Sequence, residues 1–129
     1  MARIMICDED KAMTDELMVA LRAAKYEAVS CGQANTLLSE ANAGQMDLVA
    51  VGLDNSSCCA ECAIEMIAQL APHVAVIGLH ERPSDLMRTA ARTRLTAILP
   101  RPVSAATFMY AVARALEAHQ ARSSRLLTN

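Results

Sequence analysis

Two clusters of side chains in this 129-residue sequence are chemically suggestive. The first is Cys7-Asp8-Glu9-Asp10. Adjacent carboxylates repel, and a hard cation such as Mg²⁺, which prefers oxygen ligands, relieves that repulsion. The same residues also suit a helix start, with Asp10 as N-cap and Asp8 and Glu9 meeting the positive end of the helix dipole. The second cluster is Cys58-Cys59-Ala60-Glu61-Cys62, a C-x-x-C pair with a third thiol at a helix entrance, where the dipole favours thiolate. Redox or metal chemistry is one reading of it. No second Cys or His pair stands at a spacing that completes a four-ligand zinc site, so small thiols packing a helix entrance are the other. Asp54 precedes Asn55 and Ser56 and suits a turn. His73 and His80 flank an apolar run and read as loop residues, and the eight methionines read as core fillers.

These residues are positioned by an alternation of short apolar runs with segments of helical period. The runs are Ile4-Met5-Ile6-Cys7 and residues 26–30, 47–51, 74–77 and 96–99. Apolar residues at consecutive positions suit strands covered on both faces, which belong to parallel sheets. The first helix carries Met13, Leu17, Leu21 and Ala24 on one face, the second spans 35–43 and ends at Gly44, and the third runs over 60–70 with Ile64, Ile67 and Ala68 inward. Pro72 follows it. Ser84 or Asp85 caps a fourth, and Ser104 opens a fifth with Phe108, Val112 and Leu116 on its buried stripe. The pattern predicts one (βα)5 domain over residues 1–118, an α/β doubly wound parallel sheet with right-handed crossovers, and a tail or linker start over 119–129. Ligands on such sheets gather at the carboxyl ends of the strands, where Asp8 and Glu9 stand.

Composition narrows the function classes. Lys plus Arg number 12 against 14 Asp plus Glu, a net charge of −2, which provides no field to gather nucleic-acid phosphates. The chain is 53% hydrophobic, yet its apolar runs are far too short to span a membrane. Acids arrive by Asp8, so the N-terminus does not read as a signal peptide. A cytoplasmic setting follows as an expectation, with the five cysteines as free thiols in a reducing compartment.

The sequence resembles the receiver domain of bacterial response regulators over about residues 3–118. Ordered local matches carry the likeness: Ile4-Met5-Ile6-Cys7-Asp8-Glu9-Asp10, Tyr26-Glu27-Ala28-Val29, Asp47-Leu48-Val49-Ala50-Val51 and Arg101-Pro102. The resemblance implies a CheY-like, flavodoxin-like sheet of strand order 2-1-3-4-5 and a cis Arg101-Pro102 bond. It also implies a phosphorylation pocket: an acidic pair holding Mg²⁺, an Asp ending strand three that accepts a phosphoryl group, a Ser or Thr after strand four, and a Lys before Pro in strand five. Only part of that set is present. Asp8 and Glu9 match the pair, but Gly52 stands at the acceptor, Gly78 (or Leu79) at the hydroxyl, and Arg101 at the Lys. Phosphoryl transfer to a carboxylate needs an oxygen nucleophile, and glycine has none. An Arg101 ion bridge to the acid pair is expected in place of a phosphate site.

The leading expectation is therefore a degenerate, phosphorylation-independent receiver that is not an enzyme, requires no cofactor, binds Mg²⁺ weakly at Asp8 and Glu9, and contacts protein partners. Those partners are a sensor kinase, an output protein or a fused output domain, with no direct nucleic-acid or membrane binding. Two alternatives stand beside it: a phosphoacceptor using Asp54, which lies two residues past Gly52 and shares its strand parity, and a thiol or metal protein using Cys58, Cys59 and Cys62. For the partner surface, the resemblance points to helix four, strand five and helix five, which carry Arg88, Arg92, Tyr110, Arg114 and Glu117. Helical spacing puts Arg88 with Arg92, and Tyr110 with Arg114 and Glu117, on shared faces. Such a stripe reads either as a solvated surface or as a homodimer or partner contact, because Arg and Tyr are frequent interface anchors.

Overall fold

The structure, a computed structural model, describes residues 2–31, 45–53, 60–80 and 95–128, the side chains of 60–63 and 120–128 excepted. Its elements are β1 (Arg3–Cys7), α1 (Lys11–Ala23), β2 (Glu27–Cys31), β3 (Leu48–Gly52), α2 (Ala60–Leu70), β4 (Ala75–His80), β5 (Ala97–Pro100) and α3 (Ala105–Thr128). The strands form one five-stranded sheet in the order β2-β1-β3-β4-β5, every pairing parallel. This is the CheY-like flavodoxin architecture. The helices expected over 35–43 and after Ser84 lie outside the described residues.

Alternation along the strands sorts the core into two layers. Ile4, Ile6, Leu48, Ala50, Ala75, Ile77 and Leu79 pack with α1 and α3 residues such as Leu17, Leu21, Phe108 and Val112. Met5, Cys7, Val49, Val51, Val74 and Val76 pack with Ile64 and Ile67 of α2. β3 and β4 are buried at every position, which is why their sequences are apolar without alternation. The closing-helix stripe runs through Phe108, Val112 and Ala115, with Leu116 only partly buried beside it.

The helix ends follow their capping chemistry. Asp10 accepts the Met13 amide at 3.1 Å at the start of α1, and Ser104 Oγ accepts the Thr107 amide at 3.2 Å at the start of α3. α1 ends without glycine, so Lys25 takes the left-handed conformation, φ 72°. Of residues 119–129, expected as a tail or the start of a linker, 119–128 continue α3 to Thr128. That stretch contains no Gly or Pro to stop the helix, and Ala, Arg, Gln and Leu favour it. No described helix is long and apolar enough to cross a membrane.

Candidate functional site at the carboxyl edge of the sheet

β1 delivers Asp8 just beyond its last residue, and β5 delivers Arg101 just beyond its own. Arg101 Nη2 donates to Asp8 Oδ1 at 3.0 Å, joining residues 93 apart in sequence. The same oxygen accepts the Asp10 amide at 2.8 Å, so the carboxylate also tightens the entry into α1. The side chain of Asp8 is fully buried and that of Arg101 is 13% exposed. Inside the protein two such charges attract far more strongly than in water, and the attraction offsets their lost hydration. The Arg101-Pro102 bond is cis.

The acidic pair is split by its surroundings. Asp8 turns inward, whereas Glu9 is exposed. Magnesium would need several oxygen donors converging on one point. Here Asp8 Oδ1 already accepts two hydrogen bonds, and β3 ends in Gly52, which has no carboxylate to add. The donor set of the described residues does not fit a tight magnesium site. Among the described residues no group of three or more His, Cys, Asp or Glu gathers as metal ligands.

Gly52 closes β3 opposite Leu79 of β4. Leu53 carries the ladder one bond further, its amide donating to the Leu79 carbonyl at 2.8 Å. A Cβ built on Gly78 would lie 2.8 Å from Leu53 Cδ1 and 3.1 Å from Leu95 Cδ1. Gly78 lies within β4, where the ends of these two leucine side chains crowd its α-carbon. The strand continues two residues beyond it to His80, which corrects the reading of His80 as a loop residue: it is the last strand position, 1% exposed. Its carbonyl accepts the Arg101 amide at 3.1 Å, and its ladder partner is Pro100. The signal was present in the apolar run, which extends past Gly78 through Leu79.

A second correction concerns the cysteines. Cys7 and Cys31, expected as free thiols, form a disulfide. They are ladder partners, the last pair of a five-residue parallel register, with α-carbons 4.8 Å apart. Taking 26–30 as the second strand leaves Cys31 in the following loop. The observed strand starts at Glu27 and ends at Cys31, so Cys7 and Cys31 close their strands side by side. Beside them a cleft of about 300 Å³ is lined by Asp8, Glu9, Lys11, Thr14, Asp15, Ser30 and Cys31.

Asp54, Cys58, Cys59, Arg88 and Arg92 lie outside the described residues, and Cys62 is placed only through the backbone of α2. Tyr110 is 69% exposed on α3, and Arg114 and Glu117 are exposed with it.

No family model matches the sequence, and no curated protein does. Solved structures do. The chain is similar to NtrX from Brucella abortus, at TM-score 0.85 and 17% identity over 99% of this chain and 29% of that one. It is similar to the response regulator StyR, at 0.82 and 16% over 98% of this chain and 64% of that one. A CheY-like receiver domain protein from Methanospirillum hungatei JF-1 is matched at 0.79 and 16% over 95% of this chain and 98% of that one. The fold is thus that of response regulator receiver domains, and the chain spans less than two thirds of the NtrX and StyR chains.

Proposed function

We propose that this chain is an atypical receiver domain of a bacterial two-component system, a cytoplasmic protein-interaction module that works without phosphorylation and is not an enzyme. The observation that carries the reading is the Arg101 to Asp8 ion pair beside a strand that ends in Gly52. Arg101 puts a fixed guanidinium on the carboxylate that a metal would otherwise engage, and Gly52, at the position that would bear the phosphoryl group, has no side-chain oxygen. Magnesium then binds weakly at Asp8 and Glu9, and no cofactor is required.

The direct test is intact mass after incubation with acetyl phosphate and Mg²⁺, repeated with beryllofluoride. No stable adduct is expected. A gain of one phosphoryl group that disappears in Asp54→Asn would overturn the reading in favour of an Asp54 acceptor. In Gly52→Asp, which restores a carboxylate at the end of β3, Mg²⁺ affinity should rise; an unchanged affinity would mean that Gly52 is not the acceptor position.

The partner side of the reading rests on Tyr110, Arg114 and Glu117, which share the exposed surface of α3, and on Arg88 and Arg92 by sequence spacing. The partner is a sensor kinase, an output protein, an output domain in the same chain, or a second copy. Arg92→Glu and Tyr110→Ala should weaken that contact in sedimentation or partner titration, with no dependence on phosphodonor. A monomer at high concentration, together with partner affinity indifferent to both variants, would remove the interface from the proposal.

A further inference from the structure

We propose that Cys7 and Cys31 are a reversible thiol–disulfide couple, entered at Cys31 by a low-molecular-weight disulfide, and that its state is passed to the backbone of Asp8. The inference is independent of the interaction-module reading, because it concerns a covalent site which that reading does not use.

Proximity comes from the sheet itself. Five successive ladder pairs, from Arg3 with Glu27 to Cys7 with Cys31, fix the register. The resulting α-carbon separation of 4.8 Å lies in the range that a disulfide spans without backbone movement. Closing or opening the bond therefore needs no change of register. The two sulfurs differ in access: Cys7 is fully buried in the layer beneath α2, whereas Cys31 is only partly buried. Among the described strands β2 is at the edge, paired to β1 alone, and such ends open at lower cost than interior strands. One residue admits the reagent and the other resolves the intermediate. Bridges with an accessible sulfur are the labile ones.

The exchange balances as follows. The Cys31 thiolate attacks one sulfur of the small disulfide, forming a Cys31 mixed disulfide and releasing one thiolate, which takes up the proton Cys31 lost. The Cys7 sulfur then attacks the Cys31 sulfur, breaking the mixed disulfide, and the Cys7 proton ends on the second released thiol. Two protein thiols and one small disulfide become one protein disulfide and two small thiols; two electrons pass to the reagent. Reduction runs the same steps backwards.

The link to the carboxyl edge is through the main chain. Asp8 follows Cys7, and its amide donates to the Cys31 carbonyl at 3.3 Å. Asp8 in turn holds Arg101 and the first turn of α1. A closed bridge pins the end of β2 to this point, and an open one leaves the Asp8 amide bond as the last tie.

The test is differential alkylation with peptide mapping on the full chain, equilibrated in glutathione buffers from fully reduced to fully oxidised. The Cys7–Cys31 peptide should appear and disappear reversibly within that range. In Cys7→Ser, Cys31 should accumulate as the glutathione mixed disulfide; in Cys31→Ser, Cys7 should react at least roughly tenfold more slowly because its sulfur is covered. Amide exchange at Asp8 should speed up on reduction. Cys7 and Cys31 both remaining alkylatable in oxidised buffer, a bridge that survives full reduction of the native chain, or Cys7 reacting as fast as Cys31 would each overturn the couple. Unchanged Asp8 exchange would overturn its connection to the pocket. The wild-type mapping decides the matter even if a serine variant fails to fold.

Discussion

Two arginine–carboxylate pairs brace opposite ends of the same sheet at nearly the same distance. At the amino ends of the strands, Arg3 Nε lies 2.9 Å from Glu27 Oε2, with side chains 46% and 57% exposed. At the carboxyl ends, Arg101 Nη2 lies 3.0 Å from Asp8 Oδ1, with side chains 13% and 0% exposed. The first pair sits across neighbouring ladder residues and is bathed in screening solvent. The second joins β1 to β5 across the breadth of the sheet and has left its water behind. Contact distance alone therefore says little about what an ion pair does. The exposed pair decorates a register already set by backbone bonds, whereas the buried one fixes which groups meet at the carboxyl edge of the sheet, where ligands on such folds gather.

The largest expected effect comes from breaking the buried pair on one side. Arg101→Ala leaves the Asp8 carboxylate buried without its cation, and should lower unfolding free energy by about 3–5 kcal/mol, read from urea denaturation. The double variant Asp8→Leu with Arg101→Met tests whether that loss reflects a stranded charge. It should recover most of the loss, short of about 1 kcal/mol for the bond to the Asp10 amide that Asp8 also makes. A double variant as unstable as the single one would mean that the pair contributes net stability, and the contrast between the two ends would then lie in magnitude and not in kind.

Legibility in the sequence followed the same division. Strand existence, the cap at Asp10, the α2 range and the core positions Leu17, Leu21, Ile64, Phe108 and Val112 were readable, since apolar period and capping chemistry are local. Strand order came with the resemblance, and so did the meeting of Asp8 with Arg101, which no local pattern can place 93 residues apart. What escaped depended on where strands end. Residues 26–30 against Glu27–Cys31 is a shift of one residue, yet it decides whether Cys31 is a loop thiol or the ladder partner of Cys7. His80 is a different case: the apolar run through Leu79 carries the strand signal, but a histidine reads as polar although a buried strand end can hold it. Strand-end register is a tertiary property, settled by pairing and not by composition.

An intermediate effect belongs to the amino-end side, in the turn between α1 and β2. Lys25 holds φ at 72°, a conformation that costs a residue with a β-carbon about 1 kcal/mol or more. Glycine there relieves the strain but adds freedom to the unfolded chain. Lys25→Gly should thus raise stability by about 0.5–1 kcal/mol, measured as a higher urea midpoint at unchanged slope. A loss of stability would show that the turn is held by more than its backbone conformation, since the Lys25 amide bonds the Arg22 carbonyl at 3.0 Å in either variant.

The smallest effect is expected where the geometry looks best. Arg3→Ala removes the exposed pair but leaves the backbone ties of that corner intact: the residue 3 amide still reaches Asp47 Oδ2 at 2.8 Å, and its carbonyl still accepts the Asp47 amide at 2.8 Å. The charge pair itself gains little in high dielectric and costs side-chain entropy to hold. A double-mutant cycle with Glu27→Gln should give a coupling of about 0.2–1 kcal/mol that shrinks as salt is raised. The corresponding cycle for Asp8 and Arg101 should be several-fold larger and nearly insensitive to salt, because ions do not reach a pair this deeply covered. Equal couplings, or equal salt sensitivity at the two ends, would mean that Arg101 is solvated in solution, and the proposal that its guanidinium stands in for a metal at Asp8 would lose its support.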